Sequence, residues 1–207
     1  MSEIIISIDI GERNLGWTVV EIKQGASLNE FKFSCGVYDI KSSPNYRKYS
    51  PVLSRISIIS EFVDSLIESS RSSGGEPNNN AKPEIKLRAA IIEEQVRAAT
   101  INRCLMYCVA TALRKHTDNI ILFKPYEKFT RIKQQIDTSN KKHKQLSIEN
   151  MKKITKHYNL VNVETELEKY KKKDDIADSF NQLIIQLIKW NLVDITFDEL
   201  NEILNME

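Results

Sequence analysis

The stretch that decides the fold is Ile4-Ile5-Ile6-Ser7-Ile8-Asp9-Ile10-Gly11, which joins an apolar strand pattern to a carboxylate at its end. Branched aliphatic residues favour β-structure. A carboxylate at the end of a buried strand is costly unless it meets a cation or another partner. The glycine after it lets backbone or phosphate approach closely. Taken alone, the pattern also fits an ordinary strand-end turn.

The chain around this strand alternates strand and helix patterns. Short polar connections to two further strands favour an antiparallel meander. Apolar spacing and turn signals then predict the remaining elements. In order, we expect strands at 4–10, 16–22 and 31–40, a helix at 51–69, a strand at 86–93, a helix at 98–115, a strand at 119–124, a helix capped by Ser147 that runs to 157, a helix at about 174–191, and a short terminal helix after a capping box from Thr196 to Glu199. This order predicts an α/β fold with a mixed sheet.

Length and composition are those of a soluble, intracellular globular protein. The 207 residues fit one domain spanning 1–207, in which 71–83 is expected to be a flexible surface loop. No apolar run approaches the roughly 20 residues of a membrane span, so we expect no membrane association. Three cysteines lack a zinc-binding spacing, and Cys104 and Cys108 are expected to be buried thiols.

The net charge of +2 conceals a strong partition along the chain. Residues 1–113 contain equal numbers of basic and acidic side chains. Residues 114–173 contain 16 Lys or Arg against 7 Asp or Glu, whereas residues 174–207 contain 1 against 8. A lysine-rich solvated face would explain the basic segment. Beside an acidic site, it would also attract a polyanion that carboxylates alone would repel.

Two more acidic motifs follow the first. Glu93 closes the apolar strand Ala89-Ala90-Ile91-Ile92, where it would lie beside Asp9, while Glu94 would point to the opposite face. Asp175 and Asp178 are three residues apart and share one helical face. Acids in a first helical turn can simply complement the helix dipole. Several converging carboxylates, however, are what a divalent-metal site for phosphodiester chemistry requires.

Together these motifs resemble the RuvC-type Holliday-junction resolvases of the ribonuclease-H-like superfamily, and the poxvirus branch most closely. The matching pieces are Ile8-Asp9-Ile10-Gly11, Ile91-Ile92-Glu93-Glu94-Gln95-Val96-Arg97 and Lys173-Asp174-Asp175-Ile176-Ala177-Asp178-Ser179-Phe180-Asn181, continuing to Lys189-Trp190. They cover essentially the whole chain in order and spacing. The resemblance implies a ribonuclease-H-like α/β fold, with a five-stranded mixed sheet flanked by helices.

The resemblance also implies a mechanism. Asp9, Glu93, Asp175 and Asp178 would bind two Mg²⁺ ions, for which Mn²⁺ could substitute. A homodimer, joined through the helix at 98–115, would bind four-way DNA junctions and nick two opposed strands, with no nucleotide cofactor. If the protein is poxviral, these events would occur in the host cytoplasm.

The family also has an active-site lysine before the helix that we expect from Ser147. Lys144 is our choice here, with Lys142 as the alternative, although a lysine in so basic a stretch could instead contact a distant phosphate. Two departures from the family pattern stand out: Glu94 replaces an arginine that poxvirus and fungal members often carry, and Val96-Arg97-Ala98-Ala99 replaces the aromatic wedge of the bacterial members.

Three other functions compete with this interpretation. A related nuclease acting on RNA–DNA hybrids or flaps would share the carboxylates and would not need to dimerise. An actin-like ATP-binding protein would use Asp9-Ile10-Gly11 for phosphate, but the sequence contains no second strand–Asp–x–Gly motif. A catalytically silent DNA-binding module would not need all four carboxylates.

Overall fold

The computed structural model describes residues 3–23, 26–46, 51–72, 85–96, 98–130 and 140–206. Its five strands are β1 (Glu3–Ile10), β2 (Asn14–Ile22), β3 (Lys32–Asp39), β4 (Lys86–Glu93) and β5 (Ile120–Phe123). They form one sheet in the order β3-β2-β1-β4-β5. The pairs β1–β2 and β2–β3 are antiparallel, whereas β1–β4 and β4–β5 are parallel. The predicted five-stranded mixed sheet is therefore confirmed.

Helices lie between and after the strands. They are α1 (Pro51–Ser72), α2 (Thr100–Leu113), α3 (Glu127–Thr130), α4 (Asn140–His157), α5 (Val161–Lys169), α6 (Lys173–Lys189) and α7 (Phe197–Asn205). The capping box predicted before α7 is present: the Thr196 hydroxyl accepts from the Glu199 backbone N–H, and the Glu199 carboxylate accepts from the Thr196 backbone. The short helices α3 and α5 were not predicted. In α5 only Val163 and Leu167 are buried, too few to set a clear helical period.

The sheet divides the core into two layers, and the side chains of β1 point alternately into one and the other. Ile5 faces the layer that holds α6 and its neighbours, whereas Ile4 and Ile6 face the layer that holds α1 and α2. β1 itself is the central strand, with two strands on each side. The predicted apolar stripe of α6 is fully buried and anchors that helix on the sheet: it comprises Ile176, Phe180, Leu183, Ile184, Leu187 and Ile188.

Two local predictions were wrong. Ser147 does not cap a helix, because α4 begins at Asn140 and continues through it. Its side chain is buried and satisfied by tertiary contacts instead. Cys104 is exposed rather than buried, and Cys108 is half-buried, because the helix face that carries them points away from the sheet. Most of the loop predicted at 71–83 lies outside the described residues, although α1 extends to Ser72.

No helix in the part of the chain that the structure describes is both long and apolar enough to span a membrane.

Candidate active site

Asp9 and Glu93 lie side by side at the C-terminal ends of β1 and β4, two neighbouring strands in the middle of the sheet. The parallel register of β1 and β4 pairs Ile8 with Ile92, so the next residue on each strand is a carboxylate. The two carboxyl groups share a hydrogen bond. Burial and the charges of Glu93 and Asp178 hold the pKa of Asp9 well above its usual value. Asp9 therefore lies in surroundings that oppose its negative charge.

Lys128 supplies the cation that these carboxylates require. Its ammonium donates to Glu93 Oε2 at 2.5 Å and lies 3.3 Å from Asp178 Oδ1, and the side chain is only 5% exposed. Burial alone would lower the pKa of Lys128, but Asp178, Asp9 and Glu93 raise it above its usual value. Burial likewise opposes ionisation of Glu93, yet Lys128 and the hydrogen bond from Asp9 hold the Glu93 pKa below its usual value. We call Asp9, Glu93 and Asp178 the carboxylate cluster.

Lys128 was not among the residues predicted from sequence. It lies in α3, just after Pro125 ends β5, and β5 pairs with β4 so that Phe123 lies opposite Glu93. One signal could have identified it. Lys128 follows closely after β5, and β5 is the strand beside β4, which ends at Glu93. The active-site lysine was expected at Lys144 or Lys142, and Lys128 lies well before that segment.

Asp178 reaches the cluster because α6 packs directly on β2. Gly16 pairs with Asp9 across β1 and β2, and a Cβ placed on Gly16 would lie 2.0 Å from the Asp175 carbonyl oxygen. Only glycine permits that approach. A buried hydrogen bond of 2.8 Å between the Thr18 and Ser179 hydroxyls joins the same two elements. The glycine that follows Asp9 serves the turn: a Cβ on Gly11 would lie 2.8 Å from the Asn14 carbonyl oxygen.

A polar chain on α4 and α6 orients the Asp178 carboxylate. The Ser147 hydroxyl donates to Asp178 Oδ1 at 2.6 Å. The Asn181 amide in turn donates to the hydroxyl and the carbonyl oxygen of Ser147, each at 2.9 Å. Ser147 and Asn181 are both buried. No sequence pattern indicates this role, since a serine at position 147 is equally suited to cap a helix.

Asp175 lies in the first turn of α6, three residues before Asp178, but contacts other partners. Its Oδ2 accepts a hydrogen bond from the buried Asn14 amide at 3.3 Å and lies 3.5 Å from the Lys172 ammonium. Burial raises the pKa of Asp175 above its usual value despite that ammonium. Of the four predicted carboxylates, three thus gather around Lys128, and Asp175 lies to the side of β2.

Lys144 lies at the border of the site. Its ammonium forms an ion pair with Asp174, the residue before Asp175, and its side chain is 55% exposed. The hydrogen bond to Asp174 raises the pKa of Lys144. Lys142 is exposed on the same helix. The assignment of Lys144 as the active-site lysine stays a prediction, and Lys128 is the lysine that touches the carboxylate cluster.

The donor chemistry of the site fits a divalent metal. Mg²⁺ and Mn²⁺ prefer carboxylate oxygens, and Asp9, Glu93 and Asp178 supply such oxygens. Among the described residues, no three acidic, histidine or cysteine side chains already converge as a metal-binding group. The Lys128 ammonium lies against Glu93 and Asp178, in the place where a cation would bind. The carboxylates could therefore hold a metal once this ammonium moves away.

Comparisons with known proteins identify the family and the fold of the chain. The sequence model of a family described as "Poxvirus A22 protein" matches residues 3–190. A comparison with curated protein sequences returns no significant match. Among solved structures, RuvC of Thermus thermophilus matches with a TM-score of 0.51 and 13% identity, over 91% of this chain and 96% of that chain.

Two further solved structures match less closely. T. thermophilus RuvC in complex with a Holliday junction substrate gives a TM-score of 0.47 and 16% identity, over 88% of this chain and 91% of that chain. The Aquifex aeolicus member of the Ppx/GppA protein family gives 0.35 and 12%, over 64% of this chain and 38% of that chain.

The likeness to RuvC confirms the predicted ribonuclease-H-like fold. The family match extends from β1 into the residue after α6, and so includes both strand-end carboxylates and both aspartates of α6. The resemblance to the poxvirus branch is thereby confirmed. This chain belongs to the poxvirus A22 protein family, the RuvC-like Holliday-junction resolvases of poxviruses.

Proposed function

We propose that this protein is a metal-dependent endonuclease that binds four-way DNA junctions as a homodimer and cuts two opposed strands. The observation that carries the proposal is the convergence of Asp9, Glu93 and Asp178 around a buried lysine at the end of the central strands. Buried carboxylates of this number repel a phosphodiester unless cations neutralise them. Membership of the resolvase family indicates which polyanion the site would receive.

Each side chain has a distinct role in this proposal. Asp9, Glu93 and Asp178 would hold divalent metal, and Asp175 would complete the set from the same turn of α6. Bound Mg²⁺ would lower the pKa of a water and stabilise charge on the departing 3′ oxygen, which leaves a 5′-phosphate and a 3′-hydroxyl. The Lys128 ammonium neutralises the cluster while no metal is bound, and afterwards remains close enough to contact the phosphate.

Dimerisation would join two sites by a two-fold axis and pair the nicks. The face of α2 that points away from the sheet supports this, because Ile101 is 42% exposed and Tyr107 is 55% exposed. Exposed large apolar residues on one helix are typical of protein–protein contacts. The basic composition of residues 114–173 would bring the DNA to this acidic site.

Cleavage of a synthetic four-way junction tests the proposal. With Mg²⁺, the protein should release nicked arms from the junction and leave linear duplex and RNA–DNA hybrid intact. Asp178→Asn removes the charge of a proposed metal ligand but keeps its shape and an oxygen that can accept from Ser147, so it should lower the cleavage rate by about a hundredfold or more in a protein that still folds. Wild-type protein that cuts hybrids or flaps and ignores junctions would favour the alternative nuclease function. An Asp178→Asn rate within about threefold of wild type would remove Asp178 from the metal site.

A further inference from the structure

A pocket of about 400 Å³ opens beside the Asp175 end of the site. Residues of three segments line it: the turn before β2, the second half of β3, and the connection that leads from α5 into α6. The lining residues are Arg13, Asn14, Val37, Asp39, Tyr170, Lys171 and Lys172. The volume lies within the range of roughly 300–1,000 Å³ that small-molecule sites occupy. We call it the basic pocket.

Two residues join the basic pocket to the proposed metal ligands. The Asn14 side chain, which lines the pocket, donates to Asp175 Oδ2 at 3.3 Å. The Lys172 ammonium lies 3.5 Å from the same oxygen. A ligand in the pocket would therefore be separated from Asp175 by a single layer of side chains.

The charges of the pocket favour an anion. Arg13 is paired with Asp39 at 3.0 Å, and Lys172 is held by Asp175. Lys171 is exposed, and within the described parts of the chain it forms no ion pair. Its positive charge is thus available to a ligand, and a phosphate is the anion that a junction-binding protein meets.

The walls of the pocket also offer apolar surface. Val37 and Tyr170 line it and are both half-buried. Gly36 leaves room for this tyrosine, because a Cβ there would lie 2.8 Å from the Tyr170 hydroxyl oxygen and 2.8 Å from the Trp17 ring. One cation beside an aliphatic and an aromatic side chain matches the composition of single-stranded nucleic-acid sites.

We propose that the basic pocket binds the nucleotide adjacent to the scissile phosphate, with Lys171 contacting its phosphate and with Val37 and Tyr170 packing against its sugar and base. This inference rests on the proposed function, since it concerns the strand that the carboxylates cut. It adds a contact that fixes where along that strand the scissile phosphate lies.

A coupling experiment between protein and DNA tests the pocket. Junctions would carry one uncharged methylphosphonate at each phosphate near the cut in turn, and their binding would be measured without divalent metal. Lys171→Ala should weaken binding of the natural junction roughly fivefold to tenfold at 0.1 M salt and flatten the salt slope by about one unit. The methylphosphonate next to the scissile position should weaken wild-type binding equally and cause no further loss in Lys171→Ala.

Lys86→Ala is the matched control. It removes the same charge from the start of β4, at the opposite end of the strand from Glu93. The loss of junction affinity caused by Lys86→Ala should simply add to the loss caused by the methylphosphonate, whichever phosphate carries it. An abasic nucleotide at the coupled position should also weaken wild-type binding about fivefold or more, because the base loses its packing surface.

The proposal would be overturned if the affinity loss of Lys171→Ala added to that of the methylphosphonate at every position. It would also be overturned if the two losses failed to add only at a phosphate remote from the cut. Full binding of the abasic junction would overturn the role of Val37 and Tyr170. Wild-type protein that neither binds nor cuts four-way junctions would instead overturn the proposed function, so the two failures are distinguishable.

Discussion

Lys128 balances the charge of the carboxylate cluster. Its ammonium contacts Glu93 and Asp178, and the Asp9 charge also raises its pKa. A buried ion pair of this kind adds little net stability compared with an apolar core. Removing one member, however, leaves an uncompensated buried charge, which typically costs about 3–5 kcal/mol. The site is therefore most sensitive to the loss of this one cation.

Lys128→Met keeps the aliphatic stem and removes the charge. Without divalent metal, the free energy of unfolding should fall by about 3–5 kcal/mol, measured by urea denaturation. Mn²⁺ should bind more tightly to the variant, measured by calorimetry, because the competing ammonium is gone. Lys144→Met is the matched control: its pair with Asp174 is more exposed, so unfolding should change by about 1 kcal/mol or less.

Single-turnover cleavage by the same two variants decides which lysine acts on the reacting phosphate. Larger destabilisation and tighter Mn²⁺ binding in Lys144→Met than in Lys128→Met would contradict the charge balance at Lys128. A rate loss confined to Lys144→Met would support the family-based choice of Lys144.

Ser147 is expected to act through Asp178. Ser147→Ala removes the hydrogen bond of 2.6 Å and leaves the Asn181 amide with only the Ser147 carbonyl as acceptor. Loss of a group that orients a metal ligand typically costs about 10–100-fold in metal affinity or activity. The cleavage rate at limiting Mg²⁺ should fall by that factor, with junction affinity unchanged and partial recovery at high Mg²⁺.

Thr165→Ala provides a hydroxyl control for Ser147. The Thr165 hydroxyl donates to the Val161 carbonyl oxygen on the exposed side of α5 and should not affect the Mg²⁺ dependence. Equal Mg²⁺ dependence of Ser147→Ala and wild type would show that Asp178 needs no orientation by α4.

At the scale of elements, the site depends on how closely α6 approaches β2. A backbone oxygen of α6 occupies the space where a side chain on Gly16 would begin. Backbone moves less readily than the end of a flexible side chain, so this contact fixes the position of the first turn of α6. Asp175 belongs to that turn, and Asp178 follows three residues later on the same face of the helix.

Gly16→Ala should therefore damage both stability and chemistry. The added methyl would lie 2.0 Å from the Asp175 carbonyl oxygen, so α6 must shift. Overpacking of this kind costs about 1–3 kcal/mol of unfolding free energy, and the shift should lower cleavage more than it lowers junction binding. Ser34→Ala, an exposed position on the neighbouring β3, should leave both unchanged. A fully active and fully stable Gly16→Ala would show that α6 has other ways to place its aspartates.

Elements with long apolar patterns were predictable from sequence, and contacts between distant segments were not. The isoleucines of β1 and the apolar stripe of α6 specify strand and helix directly. Asp9, Glu93 and Asp178 lie close together in the structure, and their role as metal ligands stays a prediction. Lys128 was missed because its contact with Glu93 spans 35 residues and depends on β5 pairing with β4. The start of α4 was expected at Ser147, because a serine side chain can cap a helix as readily as it can form a buried contact inside one.

At the scale of the whole molecule, the arrangement of charge and apolar surface separates the proposed cleavage site from the proposed dimer contact. The carboxylates lie on α6 and at the C-terminal ends of β1 and β4. The exposed apolar face of α2 lies in the layer on the other side of the sheet from α6. Ile101, Cys104 and Tyr107 recur every third residue, so they share that exposed face of α2. Such a patch on a helix that also packs on the sheet is well placed to join two copies rigidly.

Tyr107→Asp tests whether α2 forms the dimer. A buried, unpaired carboxylate at a two-fold interface would appear twice, and each copy would face a costly desolvation, so the variant should sediment as a monomer. A monomer has one site, so on a cruciform plasmid it should give nicked circles where wild type gives linear product. Leu122→Asp, which changes an equally exposed apolar residue on β5, should leave both the mass and the linear product unchanged. A dimeric Tyr107→Asp that still produces linear plasmid would place the dimer contact elsewhere on the molecule, and dissociation by Leu122→Asp alone would place it at β5.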